Sequence, residues 1–307
     1  MTRTPPPIDP FGGSYSIPVA GGRLHVARAG PAPGDAEAVV VAVHGITASH
    51  LAWRAAVRAL LERVDACVLA PDLRGRGLSA QLPPHAQFSA HVDDLVAMLD
   101  ELGLERALLA GHSMGAFVVA RLAAEHPERA TGVVLIDGGL ALPPPRDDAD
   151  PEEVLEEALG PALTRLGMTF ESPERYAEFW RRHPAIGPAW NDDIDAYVSA
   201  DLTGDPGAMR SVTSEAAVRV DGTALIRDER TRTAVDRVQV PIQLLRAPRG
   251  LLDDDRLMIP DSVLDDFLAK RPDVDYQLVE DVNHYTILMA AGAERVADAI
   301  ARALARV

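Results

Sequence analysis

The stretch Leu108-Leu109-Ala110-Gly111-His112-Ser113-Met114-Gly115-Ala116 decides how the rest of the chain is read. The apolar run over residues 107–110 reads as a short buried strand. A helical pattern over residues 117–126 follows at once and is stopped by Pro127. Between them lies Gly-x-Ser-x-Gly, a strand-to-helix turn so tight that the flanking positions tolerate almost no side chain. Such a turn lifts the Ser113 hydroxyl clear of the sheet and points it at the helix N-terminus. A plain turn with a helix-capping serine can carry the same five letters. The strand before and the helix after are what set the two readings apart.

Working outward, residues 15–20 and 23–29 alternate in polarity around Gly21-Gly22, a hairpin signal. Residues 38–43 are a continuous apolar run, mostly valine, suited to a strand buried on both faces, and they end in His44-Gly45-Ile46-Thr47. A helix carrying Trp53, Val57, Leu60 and Leu61 on one face comes next. After it stand a strand at 67–70 leading into Pro71-Asp72-Leu73-Arg74-Gly75-Arg76-Gly77, a helix at 89–102 and, beyond the opening stretch, a strand at 131–136 closed by Asp137-Gly138-Gly139. Regular alternation of strand and helix predicts an α/β fold with a mostly parallel, doubly wound sheet of about eight strands.

The rhythm breaks between residues 143 and 238. Four amphipathic helices are expected there, at 151–166, 173–182, 192–202 and 206–220, carrying Phe170, Tyr176, Phe179, Trp180, Trp190 and Tyr197. The pattern resumes with a strand at 240–246, a helix at 261–270, a strand at 276–279 and a helix at 290–305. The expected organisation is therefore a core made of residues 1–142 and 239–307, with a helical cap at 143–238 inserted after the sixth strand.

Composition narrows the function. With 46 acidic against 30 basic residues the net charge is −16, which disfavours nucleic acid and anionic membrane surfaces as partners. No apolar run approaches the roughly 18 residues of a membrane span. The polar, proline-rich start lacks the apolar centre of a signal peptide, so a cytoplasmic location is expected. Cys67 is the single cysteine and lies in an apolar run, which rules out an internal disulfide and points to a buried structural thiol. Lys270, the single lysine, is a poor candidate for Schiff-base chemistry. No metal-ligand spacing is visible, and no cofactor or metal is expected.

In open α/β sheets sites form at the carboxyl ends of the strands. His44-Gly45, Asp72, Ser113, Asp137, residues 246–255 and His284 stand there, in the chain order Ser…Asp…His used for nucleophilic catalysis. On His44-Gly45, Pro71 to Gly77, Gly111-His112-Ser113-Met114-Gly115 and Asn283-His284-Tyr285, the sequence resembles the α/β-hydrolase superfamily, of the lidded serine esterase or lactonase type. The resemblance covers roughly residues 20–140 and 240–305.

That resemblance implies Ser113 as nucleophile and His284 as general base. A serine where haloalkane dehalogenases and epoxide hydrolases place a carboxylate argues against their chemistry. The backbone N–H groups of Ile46 and Met114 are the implied oxyanion hole. The acid has two candidate places. Most of the superfamily keeps it shortly after the strand that here ends at Arg246, but that position is Gly250, followed by Asp253, Asp254 and Asp255; a minority takes it from the preceding strand end, where Asp137 stands. Asp137 is preferred and the other three stay open. His44 is expected to shape the oxyanion loop, and His50 to sit at the surface. His25 and His91 are expected to lie away from the site, Asp72 and Arg74 to be structural, and Arg246 and Arg249 to pair with Asp253 to Asp255.

The expected reaction is hydrolysis of an apolar small-molecule ester or lactone through an acyl-enzyme, without nucleic acid or membrane partners; association with further copies is left open. With Asp137 as acid the site resembles that of lidded lactonases, including those opening resorcylic macrolactones such as mycoestrogens. Two rivals stand beside it: a carbon–carbon hydrolase or lyase on the same triad, and a catalytically silent hydrolase-fold ligand receptor, which the glycine at position 250 keeps open.

Overall fold

In a computed structural model, which describes residues 8–85, 87–141 and 150–306, the chain builds one eight-stranded sheet flanked by helices. In chain order the elements are β1 (Phe11–Val19), β2 (Gly22–Ala29), β3 (Ala38–Val43), α1 (Arg54–Leu61), β4 (Ala66–Pro71), α2 (Ser89–Glu101), β5 (Ala107–His112), α3 (Met114–Glu125) and β6 (Ala130–Ile136). Then come α4 (Pro151–Leu166), α5 (Pro173–Arg181), α6 (Asp192–Ala200), the two-residue strands β7 (Leu202–Thr203) and β8 (Arg210–Ser211), α7 (Glu215–Arg227) and α8 (Glu229–Arg232). The chain closes with β9 (Ile242–Arg246), α9 (Asp261–Lys270), β10 (Asp275–Leu278), α10 (Thr286–Met289) and α11 (Ala293–Leu304).

The sheet order is β1-β2-β4-β3-β5-β6-β9-β10. β2 pairs antiparallel with both β1 and β4; the other ladders are parallel. Alternation along the central strands divides the core into two layers. Val41, Val43, Leu109, Val133 and Leu135 face one side and pack with α2 and α3. Val40, Ala42, Leu108, Ala110, Val134 and Ile136 face the other and pack with α1 and α11. The runs look uniformly apolar in sequence because both faces are covered. Cys67 is one of these core side chains, and burial pushes its thiol up to about 11, away from reactivity at neutral pH.

Helices occupy the connection between β6 and β9, and residues 142–149 at its start lie outside the described residues. They are tied to the sheet layer by polar contacts: Arg54 and Arg58 to Asp193, Arg76 to Asp221, and Asn283 to the Ala185 carbonyl. Two expectations shift. The helix expected at 206–220 begins only at Glu215, because Gly204 and Gly207, at φ +104° and +91°, turn the β7–β8 hairpin first. Ser214 is the real cap, its hydroxyl accepting from the Ala217 N–H. The final helix, expected at 290–305, starts at Ala293 as α11, and the separate short helix α10 precedes it; between them, a β-carbon on Gly292 would stand 2.4 Å from the Ile287 backbone.

Candidate active site

Ser113 sits between β5 and α3 at φ 56° and ψ −122°, a conformation that costs a side-chain-bearing residue of order 1–3 kcal/mol and persists only where its surroundings enforce it. The enforcement is steric. A β-carbon on Gly111 would meet the Gly115 carbonyl oxygen at 2.3 Å, one on Gly115 the Val43 oxygen at 2.1 Å, and one on Gly138 the Ser113 oxygen at 2.5 Å. The serine is half-buried, and its hydroxyl makes no hydrogen bond to another side chain among the described residues.

Asp137 closes β6, the neighbour of β5, and also has a positive φ, 45°. Its N–H donates to the Leu245 carbonyl, and its Oδ1 accepts the Ala247 N–H at 3.1 Å. The other oxygen, Oδ2, lies 2.7 Å from His284 Nδ1. Both groups are buried, Asp137 fully. Because Nδ1 holds the proton given to the carboxylate, Nε2 of His284 is left as the acceptor of the ring.

The loop after β9 holds the other positions expected for the acid. At Gly250 a β-carbon would fall 2.0 Å from the Arg256 carbonyl oxygen, so that position cannot carry an aspartate in this fold. Asp253 pairs with Arg249 and accepts from Asn283 Nδ2 at 3.0 Å. Asp254 Oδ1 is buried without a partner, and Asp255 is exposed. Among the described residues, Asp137 is the carboxylate within hydrogen-bond distance of His284. Arg246 pairs not with this run but with Asp261, at 2.7 Å, on the first turn of α9.

His284 is held from three directions. Its N–H donates to the Arg249 carbonyl. Asn283 Oδ1 caps the following turn by accepting from the Tyr285 and Thr286 N–H groups. The third support is His112, whose Nε2 donates to the His284 carbonyl at 2.8 Å while its ring stacks on His284 at 4.6 Å between centroids. Burial first, then the neighbouring His284, holds His112 well below the usual imidazole range, and it stays neutral. The Asn283 and His112 roles depend on contacts that a motif does not show.

The segment after β3, expected to supply the oxyanion hole, is equally constrained. The Leu73 N–H donates to His44 Nε2 at 3.0 Å, so Nδ1 carries the proton and donates to the Gly45 carbonyl at 2.7 Å. Burial depresses His44 to about 4, which keeps this tautomer neutral. Arg76, fully buried, donates from Nε to the Ile46 carbonyl and from Nη1 to Asp221 of α7, whose carboxylate also meets His91. Arg76 and His91 are thus parts of the site's frame, contrary to the reading that set His91 aside. Neither the Ile46 N–H nor the Met114 N–H finds a backbone acceptor among the described residues, and a β-carbon on Gly45 would lie 3.6 Å from Ser113 Oγ.

Two further histidines depart from expectation. His50 is buried, not at the surface, and its Nδ1 lies 3.0 Å from Asp72; His25 Nδ1 reaches the same carboxylate at 3.1 Å. Their three ligand-type atoms lie within 4.8 Å of one another, a grouping that could hold a metal ion. Asp72 also accepts the backbone N–H groups of His50 and Leu78, so four donors already surround it. Two clefts, of about 410 and 740 Å³, lie on the outer side of α5 and beside α2 and α7; neither is lined by Ser113 or His284.

The family model described as alpha/beta hydrolase fold matches residues 38–291. Among curated relatives, lipase LipV of Mycobacterium tuberculosis is 36% identical over 119 residues, 39% of this chain and 43% of that protein. Epoxide hydrolase A of the same organism is 35% identical over 143 residues, 46% and 42% of the two chains. The matched stretch thus spans less than half the length of these relatives. Among solved structures, E-2-(acetamidomethylene)succinate hydrolase superposes with a TM-score of 0.75 at 22% identity, over 95% of this chain and 99% of the other. A thioesterase domain from the curacin biosynthetic pathway gives 0.70 at 19%, over 96% and 99%. At such identities the likeness is one of fold.

Proposed function

The chain belongs to the α/β hydrolase fold family, and from that premise we propose that it is a serine hydrolase cleaving a small-molecule carboxylic ester or lactone, macrolactones included. The observation that carries the reading is the 2.7 Å Asp137–His284 pair on the strand next to a serine held in a strained, half-buried turn. Ser113 Oγ attacks the carbonyl carbon and gives its proton to His284 Nε2. Asp137 stabilises the resulting imidazolium through Nδ1. The Ile46 and Met114 amides receive the negative oxygen, each contributing about 3–4 kcal/mol to the transition state. His284 then returns the proton to the leaving alkoxide, which departs. Water, deprotonated by the same ring, releases the acyl group. The helices between β6 and β9 act as a cap over this chemistry: the Tyr197 hydroxyl of α6 points to the Thr47 carbonyl in the oxyanion loop, at 3.5 Å.

Hydroxyl–imidazole hydrogen bonds of this kind are often loose before substrate binds, so the free Ser113 hydroxyl is compatible with the role. A fluorophosphonate probe tests the reading directly. Intact-mass and peptide analysis should find one adduct, on Ser113, absent after heat denaturation and in the Ser113→Ala variant. A folded protein that stays unlabelled and hydrolyses no ester or lactone would return the chain to the ligand-receptor reading. Turnover of vinylogous diketones in preference to esters would select carbon–carbon cleavage instead.

A further inference from the structure

The cap contains a buried arginine with one edge of its guanidinium unused among the described residues. Arg165, on α4, is 2% exposed. Its Nη1 donates at 2.6 Å to both Asp201 Oδ2 and the Tyr176 hydroxyl. Its Nε and Nη2 find no acceptor among the described residues. These two atoms form one edge of the guanidinium, two parallel N–H bonds spaced to match the oxygens of a carboxylate. Arg74 shows what that edge does when matched, gripping Asp94 through Nε and Nη2 at 2.6 Å each. Arg246 also has Nε and Nη2 without ideal acceptors, but its Nη2 lies beside Asp261. Among the described residues, no second carboxylate bonds to this edge of Arg165.

Nor does Asp201 need the rest of the charge. It accepts in addition from the hydroxyls of Tyr176, Ser211 and Thr213. Buried donors without acceptors are uncommon because their desolvation goes uncompensated, so such an edge has capacity to spare for an anionic partner. The position suits one. The Arg165 guanidinium stacks 5.0 Å over Trp180; Trp180 meets His183, His183 meets Tyr285, and Tyr285 is adjacent to His284, with ring centroids 5.6 to 5.7 Å apart along the series. Its charge reaches those groups: burial pushes the Tyr285 phenol up and Arg165 draws it back, while burial and then Arg165 lower His183.

We propose that the Nε/Nη2 edge of Arg165 receives a carboxylate borne by the substrate, so that the ester or lactone cleaved at Ser113 is a half-acid with an apolar body. This rests on the hydrolase reading for the bond that breaks, but recognition of the carboxylate can be measured without turnover. The buried fork fixes the distance between the acid group and the scissile carbonyl, and it discriminates against neutral analogues.

Two matched pairs of esters test it. Mono-(4-nitrophenyl) glutarate against 4-nitrophenyl pentanoate places the carboxylate on the acyl side; 4-acetoxybenzoate against 4-tolyl acetate places it on the alcohol side. In each pair a carboxylate replaces a methyl group. After subtraction of uncatalysed hydrolysis, kcat/KM should favour the acid member of one pair by about 10- to 100-fold. Arg165→Lys keeps a cation opposite Asp201 but loses the fork, and should lower that ratio at least about tenfold in protein of unchanged secondary structure. In parallel, calorimetry on the Ser113→Ala protein should detect binding of glutarate or benzoate, lost when Arg165→Lys is added. A ratio near one in both pairs, or one that Arg165→Lys does not move, overturns the proposal while leaving the hydrolase intact. Arg165-dependent binding of these acids without turnover of any ester would uphold it and sink the hydrolase reading.

Discussion

Two aspartates, one after β4 and one after β6 with β3 and β5 between, each hold histidine through Nδ1, yet their surroundings differ. Asp137 has one imidazole and one backbone N–H on its oxygens, and the ring it holds has a strained serine on the adjacent strand. Asp72 has two imidazoles and two backbone N–H groups, and a β-carbon on Gly77 would already overlap its carboxylate. Burial alone would raise the Asp72 pKa, but the two histidines outweigh it and hold the group far below the usual carboxylate range. One carboxylate is saturated and ties the turn after β4 to the segment after β3. The other is left enough unfilled capacity to respond when its histidine becomes charged. A buried aspartate–histidine pair therefore does not identify a reactive centre; the number of other donors on the aspartate and a nucleophile within reach of the histidine do.

The sharpest way to break this contrast is to neutralise the acids one at a time. Asp137→Asn should lower kcat/KM toward any accepted ester by about 10³–10⁴-fold, because the amide favours the wrong imidazole tautomer. Asp254→Asn should stay within about threefold. Steady-state rates on the two variants decide it, and a reversal would move the acid to the loop after β9.

A pH titration reads the buried histidines that frame the site. His44 stays neutral in the folded protein down to about pH 4, whereas the unfolded chain protonates it below its ordinary value of 6.5. The unfolded state thus binds more protons in this window, and stability should fall by up to about 3 kcal/mol as pH drops from 6.5 to 4. His112, also depressed, acts with the same sign. Asp72 works in a lower window: its stabilisation is complete above the ordinary aspartate value and fades only in stronger acid. Denaturant midpoints measured across pH should show the loss, and His44→Asn should flatten it. The smallest effect belongs to His50→Gln. Removing one of four donors from Asp72 should cost about 1–2 kcal/mol of stability and change kcat by less than about threefold.

What could be read in advance follows from how local each signal is. The turn at Ser113 lies within five residues, the alternating core strands carry their own pattern, and His284 follows a recognisable strand, so these were legible. Asp137 was legible as a strand-end acid and preferred over Asp253 to Asp255, but the contact that separates them, its 2.7 Å approach to His284, exists only in three dimensions. The misplacement of His25 and His50 has a different origin. Their partner, Asp72, is 47 and 22 residues away, and β2 comes beside β4 only through the antiparallel register that sets Val26 opposite Pro71. Arg76 and Arg165 escaped notice for the same reason, since a buried arginine and a surface one look alike in sequence. In the cap, Pro206-Gly207 resembled a helix start, and only the glycine dihedrals showed a hairpin.

The bonds of Asp137 to β9 also bear on how the protein acquires activity as it folds. Its carboxylate meets the Ala247 N–H across 110 residues of chain and His284 across 147, while the His112–His284 contact spans 172. The entire excursion from β6 to β9 must close before Asp137 has its partners, and such distant closures are the slow steps of folding. During refolding, helical signal from α3 and its neighbours should return first, and hydrolytic competence should lag behind it. An intermediate arrested before β9 docks would contain the serine turn yet be inert, so a chain interrupted during folding is kept from premature chemistry by its own topology.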